Sequence, residues 1–209
     1  MRLYDHPASA NCMKARILLR RLELPYETVL VDLFRRETRT PEHMARNPDG
    51  RVPVLELDDG RMIPESGAIL LYLAEGTPYL PDDRAERATV HQWMFFEQNQ
   101  IEPHLAVARF LLLTGRGEKY PEYLAALVAR GRAALASLAR GLADERAFVA
   151  GDALTVADIA LYAYVHCAGD AGADPHEHGP VAAWLERVEA VLGSDNDLAP
   201  FPEHARVAA

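Results

Sequence analysis

LYDHPASANCMKARILLRRLELPYETVLV, residues 3–31, carries the pattern of a strand, a helix and a second strand in one short stretch. Leu3 and Tyr4 make a brief apolar start that breaks at His6-Pro7-Ala8-Ser9-Ala10-Asn11. Cys12, Ala15, Leu18, Leu19 and Leu22 then recur at helical spacing, with Lys14, Arg16, Arg20 and Arg21 on much of the remaining face. Leu24-Pro25 closes that helix, since the residue before a proline is pushed out of the helical region. Residues 26–31 follow as a strand rich in β-branched and aromatic side chains.

Working outward, Thr40 as cap and Pro41 at the first helical position predict a short helix. Residues 52–57 and 61–63, joined at Asp58-Asp59-Gly60, predict two antiparallel strands, followed by a helix over about 66–75. The expected order is βαβ then ββα within residues 1–76. Turn residues and prolines over 77–84 read as a linker, and strand-like alternation is nearly absent beyond it. A long helical pattern spans 85–113 with Pro103 set to kink or split it. Further helices are expected over about 121–139, 155–167 and 180–192. The fold class is therefore α/β in residues 1–76, followed by an all-α domain in residues 85–209.

The chain has 209 residues, 49% hydrophobic and 25% charged, which excludes a wholly disordered or fibrous protein. A net charge of −9 argues against nucleic acid or an anionic membrane surface as partner, while leaving room for a local anion pocket. The charged start at Met1-Arg2 and the lack of any long apolar run predict neither signal peptide nor membrane span, hence a cytoplasmic protein. Cys12 and Cys167 are too few and too far apart for a disulfide framework and fit free thiols. His176 and His178 lack a third ligand, so no metal is expected.

Ser9 and Asn11 sit just before the first helix, beside unpaired backbone N–H groups and the positive end of its dipole. Both are common caps, and both can donate to a thiolate or carboxylate. Cys12 stands one turn beyond Ser9, where a redox Cys-x-x-Cys pair would have its second cysteine, with serine in the first place. The pattern lacks a protein nucleophile but retains a site able to stabilise another molecule's thiolate.

Four blocks carry a resemblance. They are Leu3-Tyr4 with Pro7-Ala8-Ser9-Ala10-Asn11-Cys12-Met13-Lys14; Asn47-Pro48-Asp49-Gly50-Arg51-Val52-Pro53-Val54-Leu55; Ile63-Pro64-Glu65-Ser66-Gly67-Ala68-Ile69-Leu70-Leu71-Tyr72-Leu73; and Leu154-Thr155-Val156-Ala157-Asp158-Ile159-Ala160. In this order the sequence resembles the cytosolic glutathione transferase family, as a bacterial member with a serine/asparagine-type thiol site. The resemblance implies a thioredoxin-like glutathione-binding domain over 1–76 and a helical domain that lines the electrophile site, near Val107 and Phe110. It further implies a homodimer, with glutathione as co-substrate and a small electrophile or peroxide as partner.

Position by position, the resemblance implies that Ser9 donates a hydrogen bond to the glutathione sulfur, with Asn11 sharing or taking that role. It makes the Val52–Pro53 bond cis, so that the Val52 backbone pairs with the cysteinyl unit. Ser66, also a candidate cap for the third helix, receives the γ-glutamyl carboxylate, and Glu65 pairs with the amino group. Arg51 is the counter-charge for the glycyl carboxylate, and Gln100 reaches the γ-glutamyl amine across the dimer cleft. Tyr4 belongs to the first strand, Cys12 reads as a structural thiol, and Trp93, Phe95 and Phe96 read as packing residues. Thr155-Val156-Ala157-Asp158 is a capping pattern. The implied activity is glutathione transferase, serving detoxification. Glutathione-dependent peroxide or disulfide reduction, dehalogenation or isomerisation, and a non-catalytic regulatory protein remain alternatives.

Overall fold

The computed structural model describes residues 1–144 and 146–206. The chain divides into two compact units, residues 1–75 with 192–200, and residues 76–191 with 201–209.

The first unit is built on a four-stranded sheet in the order β2-β1-β3-β4. Strand β1 (Arg2–Asp5) runs parallel to β2 (Glu27–Leu30), with Leu3 opposite Thr28, and helix α1 (Ala10–Arg21) makes the crossover between them. Strand β3 (Val54–Glu56) is antiparallel to β1 and to β4 (Met62–Pro64), placing Leu55 beside both Leu3 and Ile63. Leu3 and Leu55 are fully buried, and α1 packs against α3 (Ser66–Ala74). Tyr4, Val31, Val52 and Val54 form an apolar cluster with Cys12. Helix α2 (Pro41–Arg46) opens as expected, with Thr40 Oγ1 accepting from the His43 N–H at 3.3 Å.

Lys14 and Arg16 depart from the sequence pattern, being 0% and 4% exposed. They do not lie on a solvated face, because α1 is covered on more than its apolar side. Residues 192–200, beyond the last long helix, return to the first unit and supply part of that cover.

In the second unit, α4 (Arg84–Phe96) passes into a π-helical segment (Glu97–Ala106) and on to α5 (Val107–Leu113). Pro103 lies inside the π segment. Proline has no N–H for the helical ladder and its ring crowds the carbonyl one turn back, and a widened turn lets the helix continue. Helices α6 (Pro121–Gly141), α7 (Val156–Val165) and α8 (Gly179–Leu192) complete the unit. All ten residues of α7 are buried. Its start is a full capping box between Thr155 and Asp158. Among the described residues, no helix is long and apolar enough to cross a membrane, and no group of three or more His, Cys, Asp or Glu could hold a metal.

Candidate functional site

Strand β1 delivers the chain to Asp5, and a tight loop leads into α1. The Ser9 N–H donates to the His6 carbonyl at 2.9 Å, and the Ser9 Oγ accepts from the Cys12 N–H at 3.3 Å. Ser9 is thus the cap of α1, in extended conformation. Accepting that bond occupies a lone pair and leaves the hydroxyl proton as a donor. The first turn of α1 contains no acidic residue, and the nearby Asp5 carboxylate is paired with Arg16.

Asn11 is tied both to the next turn of α1 and to α3. Its Oδ1 accepts from Lys14 Nζ at 2.8 Å and from the Ser66 hydroxyl at 3.3 Å. Asn11 and Ser66, 55 positions apart, are thereby brought together at the starts of α1 and α3. The helical pattern places Lys14 on the helix face and assigns it no role in the site. Its signal was weak, because a lysine one turn after an asparagine on a helix is ordinary, and only its burial and its bond to Asn11 mark it out.

Ser66 is not the cap of α3, contrary to the sequence expectation. It is the first helical residue, and Glu65 holds the cap position without a side-chain cap bond. Glu65 adopts φ 71° and ψ 117°, a conformation that L-residues rarely take. Such backbone costs about 1–3 kcal/mol and concentrates at ligand sites. The Glu65 side chain is exposed while Ser66 is buried.

The Val52–Pro53 bond is cis. Val52 precedes the β3 ladder, which begins with Val54 opposite Tyr4 and Pro64. The turn feeding it is anchored at the Arg51 carbonyl, which accepts from Asn47 Nδ2 at 3.1 Å and lies 2.9 Å from His43 Nε2. Gly50 is required there, since at φ 59° a Cβ would stand 2.8 Å from the Thr38 carbonyl oxygen. The Arg51 side chain itself is exposed.

Tyr4 is a strand residue, its hydroxyl donating to Glu56 Oε2 at 2.7 Å; burial and then that bond raise its pKa. Cys12 is fully buried, and burial pushes its thiol far above the ordinary range. A neutral, inaccessible thiol is a poor nucleophile. In the second unit, Gln100 is exposed on the π segment and donates to Asn99 Oδ1 at 2.5 Å. Neighbouring Glu97 is buried and accepts from Gln98 Nε2 at 2.7 Å. Trp93 and Phe96 pack edge to face at 5.4 Å, whereas Phe95 is 71% exposed and is not a packing residue of the chain. Val107 is half-buried, and Phe110 lies 6.4 Å from the Phe201 ring.

The first unit therefore presents donors at two helix starts, a positive-φ backbone at Glu65, and no accessible protein thiol at Cys12. Residues 3–81 match the family model of the glutathione S-transferase N-terminal domain, and residues 121–187 match that of the C-terminal domain. A maleylacetoacetate isomerase of Rhizobium meliloti (strain 1021) is 36% identical over 171 residues, covering 78% of this chain and 79% of the relative. The chain belongs to the glutathione S-transferase family. A glutathione S-transferase structure from Pseudomonas fluorescens [Pf-5] superposes with a TM-score of 0.87 at 41% identity, covering 90% of this chain and 94% of the other. The structure of Ure2p in complex with glutathione matches with a TM-score of 0.82 at 25% identity over 93% of this chain and 91% of the other. The four-stranded unit followed by helices is thus the glutathione S-transferase fold.

Proposed function

We propose that the protein binds reduced glutathione on its first unit and stabilises the thiolate for attack on an electrophile. The observation that carries this reading is the Ser9 arrangement: a hydroxyl at the start of α1 whose oxygen is already fixed by the Cys12 N–H, next to a cysteine that cannot itself react. In this reading Ser9 donates to the sulfur and Asn11 assists. The Val52 backbone, turned by the cis bond to Pro53, pairs with the cysteinyl unit. Ser66 and the start of α3 take the γ-glutamyl carboxylate, Glu65 the amino group, and Arg51 the glycyl carboxylate. Gln100 is assigned to the γ-glutamyl amine by resemblance alone. A depression of the thiol pKa by about two units requires about 2.7 kcal/mol of preference for the thiolate. One hydroxyl donor with helix-start N–H groups is of sufficient strength.

Isomerisation is the second reading, favoured by the relative named maleylacetoacetate isomerase. Glutathione consumption separates the two, because a transferase spends one tripeptide per turnover and an isomerase returns it. The test is calorimetric titration with reduced glutathione, followed by turnover against an aryl halide, a peroxide, a disulfide and a cis-enedione, with free thiol monitored throughout. Saturable binding and thiol loss with the aryl halide are expected. Absence of binding at millimolar glutathione refutes both readings.

A further inference from the structure

Residues 192–200 belong to the first unit although the helices of the second precede them in the chain. They run along α1 as a strap. Arg20 Nη1 donates to the Asp195 carbonyl at 3.5 Å, Arg20 Nη2 binds Asp197, and Arg21 lies 3.7 Å from the Asp195 carboxylate. Arg16 reaches deepest and uses its guanidinium in three directions. Nη1 meets Asp5 at the end of β1 at 2.6 Å. Nε meets Asp197 on the strap at 3.0 and 3.2 Å. Nη2 donates to the Pro7 carbonyl at 3.2 Å. The same Pro7 carbonyl accepts the Ala199 N–H of the strap at 3.1 Å.

That carbonyl belongs to the peptide between Pro7 and Ala8, one residue ahead of the peptide that enters Ser9. A planar peptide held by two donors at its oxygen fixes the Ala8 Cα, and the buried Ala8 is the single residue between it and the Ser9 cap of α1. Ser9 is held by the His6 carbonyl and the Cys12 N–H, and the Pro7–Ala8 peptide one residue earlier is held by Arg16 and Ala199. The side chains of Arg16 and Asp5 are 5% and 3% exposed, whereas Asp197 is 30% exposed. The link that can be cut without stranding a buried charge is therefore Asp197.

We propose that Arg16 and Asp197 are positioning residues: the strap, ion-paired to α1, clamps the Pro7 carbonyl and thereby sets where the Ser9 hydroxyl stands for the glutathione sulfur. This rests on the reading of Ser9 as the sulfur's donor. A strap that only secured the chain end would add stability and leave the bound thiol untouched. A clamp on the loop moves the sulfur's pKa.

Thiolate absorbance is titrated with reduced glutathione bound to the wild type, to Asp197→Ala and to the milder Asp197→Asn. A Ser9→Ala, Asn11→Ala double variant tests the donors themselves. Amide hydrogen exchange at Ser9 and Cys12 is followed in each strap variant. The expected result for Asp197→Ala is a bound-thiol pKa raised by about 0.5, equivalent to about threefold less thiolate below that pKa. Turnover falls by a similar factor, KM for glutathione stays within about twofold, and loop amides exchange faster while Leu3 and Leu55 do not. High salt shifts the wild type towards the variant, because Asp197 is partly exposed to screening. An unmoved thiol pKa in both Asp197 variants, with a raised one in the double variant, overturns the clamp and leaves the donor reading standing. An unmoved pKa in the double variant refutes the donor reading and the clamp with it; faster loop exchange in Asp197→Ala then locates the failure in the donors rather than in the strap.

Discussion

At Ser9 one oxygen has two tasks, accepting the Cys12 N–H as a helix cap and, in the proposed mechanism, donating its proton to the ligand's sulfur. Replacing Ser9 by alanine removes both. The bound thiol's pKa is expected to rise and turnover to fall, while affinity for the tripeptide stays nearly intact because, in the proposed binding mode, Glu65, Ser66 and the Val52 backbone hold the rest of it. The loss is expected at or below about 2.7 kcal/mol, since Asn11 remains as a second donor. Thiolate titration of Ser9→Ala beside Asn11→Ala decides between them: a larger rise in Asn11→Ala would transfer the main role to Asn11. Ser9 and Asn11 were legible in the sequence because a strand, a turn and a helix start can be read locally. The Ser66 bond to Asn11 was not, because the helical period of α1 records one covered side and is silent about α3 on another, while the Lys14 bond one turn along α1 is ordinary until Lys14 is found buried. The same limit made Ser66 a cap by type, when Glu65, at positive φ, holds the cap position and Ser66 is the first helical residue.

Among the elements, α7 shows how a legible local motif becomes a long-range one. Thr155-x-x-Asp158 reads as a capping box in sequence, and the structure has it. Asp158 also accepts from the Val149 N–H at 2.9 Å and from Trp184 Nε1 at 3.0 Å, partners that no local pattern announces. Burial raises the Asp158 pKa in spite of these donors. Asp158→Ala is expected to cost on the order of 3 kcal/mol or more, because several buried donors lose their acceptor together; Trp184→Phe, which removes a single donor, should cost about 1 kcal/mol. Chemical denaturation of both variants measures the difference. At the other end of α7, His166 stacks on Tyr162 at 4.7 Å, and burial holds its pKa below the ordinary imidazole value. On acidification the unfolded chain takes up the His166 proton first, near pH ~6.5. The unfolded state then binds more protons than the native state, so the contribution is fully present above that pH and lost as the pH falls through the folded value. His166→Gln is expected to flatten this part of the stability curve, as measured by denaturation between pH 5 and pH 8.

For the whole molecule, the alternation of strand and helix patterns made two kinds of architecture legible, whereas the return of residues 192–200 to the first unit was not. That return is carried by arginine–aspartate pairs rather than by hydrophobic period, and charges in a terminal segment look like ordinary solvated residues. Exposed aromatic surface is the other feature that sequence understates. Phe95, on α4 of the second unit, is 71% exposed, and Tyr72, on α3 of the first, is 48% exposed. In the homodimer that the family resemblance implies, exposed rings such as these are candidates for burial at the interface. In a two-fold dimer any such residue is used twice, once from each copy. Burying one phenylalanine is worth about 1.5–3 kcal/mol, so two copies contribute about 3–6 kcal/mol. That corresponds to roughly a 10²- to 10⁴-fold change in the dimer dissociation constant. The wild type is expected to sediment as a dimer at micromolar concentration and Phe95→Asp as a monomer, with the helical circular dichroism of both unchanged. A wild type that sediments only as monomer would reject the assembly; a variant that stays dimeric would place the interface away from Phe95.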